Sequence, residues 1–153
     1  FEIEGRRVLD LFAGTGQLGI ECLSRGAAKA VFVDQRTDAV RLIRENLALT
    51  ELADRAEVIC GSALDVVARA HGTFDIIFLD PPYQTGLLEK ALEQIAAFDI
   101  LNPHGIIAAE HPADRPPVSP TETCRLHRTY RYGKIGLTIF RRAENHRNEG
   151  ETP

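Results

Sequence analysis

The stretch Arg7-Val8-Leu9-Asp10-Leu11-Phe12-Ala13-Gly14-Thr15-Gly16-Gln17-Leu18-Gly19 decides how the rest of the chain is read. Arg7 to Phe12 is a short apolar run in which Val8, Leu9 and Leu11 are nearly continuous, the pattern of a strand buried on both faces. It leads into Gly14 to Gly19, which satisfies G-x-G-x-x-G. From Gln17 to Arg25 the apolar residues Leu18, Ile20, Cys22 and Leu23 fit a helix, closed by Gly26 as a C-terminal cap. Strand, glycine loop and helix in that order open a nucleotide-binding α/β sheet.

The alternation continues outward. Ala30 to Asp34 reads as a buried strand, and Thr37 to Leu49 as a helix that Thr37 or Asp38 can cap, with Ala39, Val40, Ile43, Leu47 and Ala48 on one face. Strands follow at Ala56 to Cys60, Phe74 to Asp80 and Gly105 to Glu110, separated by helices at Ala63 to Ala70 and Gly86 to Phe98, the latter turning Leu87, Leu88, Ala91 and Ile95 inward. Strands interleaved with helices require a parallel sheet with right-handed crossovers, so the fold class is α/β, doubly wound. Pro112 to Pro120 holds four prolines and reads as a stiff loop. Beyond it, Cys124 to Tyr132 and Lys134 to Arg142 read as strands joined at Gly133, a hairpin that adds an antiparallel strand at that side. One domain over residues 1–142 is expected, with a polar, fraying tail over 143–153.

At 153 residues, 44% hydrophobic and 26% charged, the chain has the profile of one globular domain. No apolar run approaches the ~20 residues of a spanning helix, and the first residues lack a signal-peptide pattern, so a cytoplasmic protein without membrane contact is expected. Cys22, Cys60 and Cys124 have neither disulfide nor metal spacing and read as reduced packing residues. With no methionine and a start at Phe1, the sequence reads as a piece of a longer product, with an N-terminal segment upstream. The net charge of -4 disfavours nucleic-acid binding by bulk electrostatics. Between Thr121 and Arg142, however, Arg125, Arg128, Arg131, Lys134, Arg141 and Arg142 face a single acid, Glu122. That stretch is either a solvated strand face or a phosphate-contacting surface.

The glycine loop with Asp34 at the end of the second strand suits any adenosine-bearing cofactor: glycines admit close approach, the helix terminus offers free N–H groups, and a carboxylate accepts from ribose hydroxyls. Asp10 narrows the choice. A carboxylate there repels a pyrophosphate but pairs, directly or through water, with an amino-acid ammonium such as that of S-adenosylmethionine. Arg36 can be argued to read an NADP phosphate, although an exposed arginine opening a helix is the commoner explanation.

The fourth strand ends in Asp80-Pro81-Pro82-Tyr83. Two prolines fix the backbone, and an aspartate beside a rigid carbonyl accepts both hydrogens of an amine, directing its nitrogen at an electrophile. Tyr83 offers a stacking face for a base. Glu110 and His111, at the end of the fifth strand, read either as facing a substrate or as a surface pair. Phe12 reads as core before ligand contact, and Gln84 and Thr85 as shaping the loop. The five histidines have no ligand spacing, and no metal is expected.

Asp10 to Gly16 (DLFAGTG) looks like motif I of the S-adenosylmethionine-dependent methyltransferases, and Asp80 to Tyr83 matches the (D/N)PP(Y/F/W) motif of those acting on amine nitrogens. Together with Glu21 to Gly26 (ECLSRG), Glu110-His111 and Tyr132 to Thr138 (YGKIGLT), the order resembles the RsmD family across nearly the whole chain. These bacterial enzymes methylate guanine N2 of small-subunit (16S) ribosomal RNA. The resemblance implies a mostly parallel, seven-stranded Rossmann-like sheet and a monomer acting on the small subunit or its assembly precursor. It implies S-adenosylmethionine as donor, with S-adenosylhomocysteine as product, held by Asp10, Phe12, Ala13, Gly14, Thr15, Gly16, Asp34, Gln35, Ser62 and Ala63. Asp80 and the Pro81 carbonyl bind the target amine, Pro82 stiffens the loop, Tyr83 stacks on the base, and Arg131 and Lys134 contact RNA. Ser62 departs from the family, which usually carries an acid there. An N-terminal basic segment of the family is absent from this sequence. DNA adenine-N6 methylation, a dinucleotide-dependent oxidoreductase and a non-catalytic RNA-binding module remain the rival readings.

Overall fold

In a computed structural model, which describes residues 1–70, 72–83, 85–119, 121–122 and 124–142, the chain forms one sheet of seven strands. The elements run β1 (Arg7–Asp10), α1 (Gln17–Ser24), β2 (Lys29–Asp34), α2 (Thr37–Leu49), β3 (Ala56–Cys60), α3 (Ala63–Ala68), β4 (Phe74–Leu79), α4 (Leu87–Phe98), β5 (Leu101–Pro112), β6 (Cys124–Tyr132) and β7 (Ile135–Arg142). The spatial order is β3-β2-β1-β4-β5-β7-β6; β1 to β5 are parallel, and β7 lies antiparallel between β5 and β6. The doubly wound α/β reading and the closing hairpin are both present, the later strand of the hairpin being the one that joins the parallel sheet.

Alternation along the buried strands divides the core in two. Leu9, Val31, Val33, Ile77 and Ile107 face α3 and α4, where Val67, Leu88, Ala91, Leu92 and Ile95 meet them. Val8, Ala30, Phe32 and Ile76 face α1 and α2 through Cys22, Leu23, Ile43 and Leu47. Full burial of such side chains is worth about 1.5–3 kcal/mol each, so helices on both faces are what keeps this sheet parallel and dry. Gly19 permits the α1 contact: a Cβ there would meet the Phe32 ring at 2.3 Å. Gly26 ends the helix as expected, at φ 99°, with its N–H donating to the Leu23 carbonyl and Ala27 N–H to Cys22.

Several boundaries differ from the sequence reading for identifiable reasons. β1 stops at Asp10, because Leu11 and Phe12 already bend into the glycine loop, which Ala13 N–H anchors to the Val33 carbonyl at 2.9 Å. Neither Thr37 nor Asp38 caps α2; Arg36 holds that position, its N–H donating to Asp34 Oδ1 at 2.9 Å. β5 begins at Leu101, which pairs with Phe74, then shifts register around Pro103 and His104 (φ 63°) before Ile106 joins Ile76. Leu92 is an inward residue of α4 that the sequence reading omitted, while Leu87 is half-buried. Cys22 and Cys124 are buried, and burial pushes both thiols up to about 11; Cys60 is exposed, so it is not the packing residue expected. Among the described residues no helix is long and apolar enough to cross a membrane. Gln84, His71 and the tail over 143–153 lie outside the described residues.

Candidate active site

The strand order reverses between β1 and β4, and there the carboxyl ends of neighbouring parallel strands leave a crevice. Asp10, last residue of β1, stands in register with Phe32 on β2 and Phe78 on β4, and Asp80 follows Phe78 by two residues. The topology therefore brings Asp10, Asp34 and Asp80 to one edge.

Asp10 is 2% exposed. Backbone N–H groups of Gly19 and Phe12 support it, yet Oδ2 has no partner. Burial, then the charge of Asp80 and more weakly that of Asp34, push its pKa up to about 7. Asp34 is already engaged by the protein: Oδ2 accepts from Gly14 N–H at 3.0 Å, and Oδ1 from the Arg36 backbone and, at 3.3 Å, its guanidinium. The carboxylate thus locks the glycine loop to the end of β2, and Arg36 is spent on Asp34.

A cleft of about 560 Å³ runs over this edge. Of the residues expected to hold a cofactor, Phe12, Gly14, Asp34, Gln35, Ser62 and Ala63 line it, together with all four residues of the Asp80 to Tyr83 loop. Phe12 does both things the sequence allowed, packing on the core while lining the cleft. Asp10, Ala13, Thr15 and Gly16 do not line the cleft; Thr15 instead accepts from the Asn46 amide at 3.0 Å through its carbonyl. Arg36, weighed as a phosphate reader, lines it too, and Leu11, Gly61, Leu64 and Leu87 line it without having been singled out for it, since a wall residue without a polar side chain carries no signal in a single sequence.

In the loop itself Pro81 is buried, and Asp80, Pro82 and Tyr83 are exposed, Tyr83 at 48%. Thr85 Oγ1 donates to the Pro82 carbonyl at 2.9 Å and accepts the Leu87 N–H at 3.3 Å, passing the rigid loop into α4. On the far side of the loop lies a smaller cleft of about 250 Å³, walled by Pro81, Pro82, Tyr83, Glu110, His111 and Arg115. Glu110 joins the two clefts, because its carboxyl is hydrogen-bonded to that of Asp80. That bond lowers Asp80 and raises Glu110. Partial desolvation raises both groups, and the Asp80 charge raises Glu110 further.

His111 is no surface residue. It is 1% exposed, with Nδ1 2.8 Å from the Pro112 carbonyl and Nε2 2.7 Å from Thr138 Oγ1. Glu110 and His111 are successive residues of β5 and both line the smaller cleft, where His111 partly offsets the rise of Glu110. Arg131 and Lys134 are exposed near the β6–β7 turn, outside both clefts but at the same end of the sheet, since Pro112 pairs with Ile135 and Ile135 with Tyr132. Among the described residues no group of three or more His, Cys, Asp or Glu side chains is placed to hold a metal.

Residues 1–141 match the family model described as conserved hypothetical protein 95. The Bacillus subtilis protein YlbH is 39% identical over 144 residues, covering 91% of this chain and 77% of that one. Ribosomal RNA small subunit methyltransferase D of Haemophilus influenzae is 36% identical over 115 residues, 73% of this chain; the chain spans 60% of that relative's length. Among solved structures, a conserved hypothetical protein of Streptococcus pyogenes superposes with a TM-score of 0.86 at 31% identity, covering 94% of this chain and 89% of that one.

Proposed function

From membership of the RsmD family, to which this chain belongs, we propose that it methylates the exocyclic N2 of a guanine in small-subunit ribosomal RNA. The observation that carries the reading is the acidic crevice: Asp34 and Asp80 line the open cleft, and Asp10, buried behind it within reach of both charges, has one oxygen without a partner. A dinucleotide pyrophosphate would add negative charge to that set, whereas an amino-acid ammonium supplies what Asp10 lacks. The residues fit S-adenosylmethionine: Asp10 for the ammonium, the loop at Gly14 and Asp34 for the ribose, Ser62 and Ala63 for the adenine. When bound, that molecule supplies an electrophilic methyl group on a positively charged sulfur.

The rest belongs to this chain. An aromatic amine is a weak nucleophile because its lone pair is delocalised, so catalysis consists in orienting it. Asp80 and the Pro81 carbonyl accept the two amine hydrogens, Tyr83 stacks on the extruded base, and the charge of Asp80 stabilises the nitrogen as it becomes positive. The proton shed afterwards has Asp80 as its acceptor. Arg131 and Lys134 contact phosphates of the RNA outside the cleft.

Labelled methyl transfer to unmodified small subunits, free small-subunit RNA and duplex DNA, followed by nucleoside analysis, tests this directly. The expected product is N2-methylguanine in ribosomal RNA; label confined to DNA adenine supports the rival enzyme. Asp80→Ala is expected to lower transfer at least ~100-fold while leaving S-adenosylmethionine affinity unchanged, and undiminished transfer rules out the assigned role.

A further inference from the structure

The tetrapeptide alone does not choose between guanine N2 and adenine N6, because it recognises only an amine. The neighbouring cleft does choose. Asp80 lines the larger cleft, and the smaller one is lined by its strand neighbour Glu110 together with Glu89 and Arg115. We propose that the smaller cleft is the seat of the Watson–Crick edge of the target base, and that Glu110 and Arg115 read that base as guanine.

Guanine carries, in order from its exocyclic amine, N2–H₂ donors, the N1–H donor and the O6 acceptor. The protein offers complementary groups: the adjacent Asp80 and Glu110 carboxylates as acceptors and the Arg115 guanidinium as a donor. Leu79 pairs with Ala109 on the parallel strands just before them, so Asp80 and Glu110 stand side by side and their two carboxylates can accept two adjacent N–H donors. Adenine, aligned through N6, presents an amine, the N1 lone pair and C2–H. It demands that Glu110 take up a proton to become a donor, and it gives Arg115 no acceptor. Glu110 is half-buried against β5 and hydrogen-bonded, so it is a fixed group of the kind that discriminates by leaving a wrong partner unsatisfied. Tyr83 borders both clefts, where its ring can stack on a base placed between them. The inference rests on the methyltransferase reading and adds the base-reading residues to it.

2-Aminopurine separates the possibilities, since it keeps the 2-amine but presents N1 as an acceptor and C6–H in place of O6, the adenine pattern. The substrates are small-subunit RNA with guanine, or with 2-aminopurine, at the position where the wild-type enzyme deposits its methyl. Wild type is expected to prefer guanine about 100-fold in kcat/KM. Glu110→Gln, whose amide can both accept and donate, is expected to narrow this preference below ~10-fold, with S-adenosylmethionine binding by calorimetry unchanged as proof of an intact fold. A preference that is the same in Glu110→Gln and wild type, or absent from wild type, overturns the inference while N2-methylguanine formation still upholds the underlying activity. Absence of N2-methylguanine from wild type overturns both.

Discussion

An aspartate that is 2% exposed and has an unpartnered oxygen is held in place against its own solvation energy, and that has consequences at the scale of a residue. The folded Asp10 titrates at about 7 against 3.8 unfolded. Between those values the folded chain retains a proton that the unfolded chain has released, so Asp10 makes stability fall as pH rises through that window. A shift of this size corresponds to at most about 4 kcal/mol. Asp10→Asn is expected to raise the thermal midpoint of the free protein at pH 8 and to flatten its decline between pH 5 and 8. It is also expected to weaken S-adenosylmethionine at least ~10-fold by calorimetry, because the ammonium loses its buried counter-charge. A variant that is no more stable at pH 8, with unchanged affinity, would show that Asp10 is satisfied in some other way. Asp10 was legible in the sequence as the residue that selects against a pyrophosphate. Its lack of a partner was not, since that depends on which backbone N–H groups reach it.

At the scale of an element, the β6–β7 hairpin is fixed to the site by one polar chain. The Pro112 carbonyl can only accept, so Nδ1 of His111 carries the proton, and Nε2 accepts from Thr138 Oγ1, which in turn lies 3.0 Å from Thr129 Oγ1. Gly136 makes room for the imidazole: a Cβ there would come within 2.3 Å of the ring. This is the physical content of the Tyr132 to Thr138 motif, which the sequence presented only as a likeness. Gly136→Ala is expected to cost about 1–3 kcal/mol by overpacking, and Thr138→Val a similar amount by leaving Nε2 unsatisfied, both measured by chemical denaturation. Values within about 0.3 kcal/mol of wild type for both would show that the histidine is not anchored there. Most elements were readable because hydrophobic period and turn residues agree, as in α2 and β3, whose limits match the reading. The start of β5 was not, because Pro103 and Gly105 read as loop residues while tertiary pairing with Phe74 draws Leu101 into the sheet. The Asp80–Glu110 bond was equally hidden, since parallel neighbours 30 residues apart in sequence reveal nothing of their register.

On the scale of the molecule, charge is divided. Among residues Cys124–Arg142 there are six arginines and lysines and no acid, while the chain as a whole carries -4. Arg142 is spent on Asp99, at 2.8 Å, and on the Leu101 carbonyl, whereas Arg131 bonds the turn carbonyl of Gly133 and Lys134 is exposed beside it. The turn stands at the same end of the sheet as both clefts, two to three strand spacings, or ~10–14 Å, from β4. A base held at Asp80 therefore leaves its flanking phosphates within reach of a cationic edge, while the acidic remainder repels RNA that approaches in any other orientation. Such an arrangement separates attraction from chemistry. Arg131→Ala with Lys134→Ala is expected to weaken small-subunit RNA about 10-fold at low salt and to reduce the slope of log K against log salt by about 1.4, two phosphate contacts at ~0.7 each. S-adenosylmethionine affinity and the rate at saturating RNA should stay at wild-type values, because neither residue lines a cleft. An unchanged salt slope would place the phosphate contacts elsewhere on the chain and leave the hairpin as a solvated edge whose lysine guards against strand pairing.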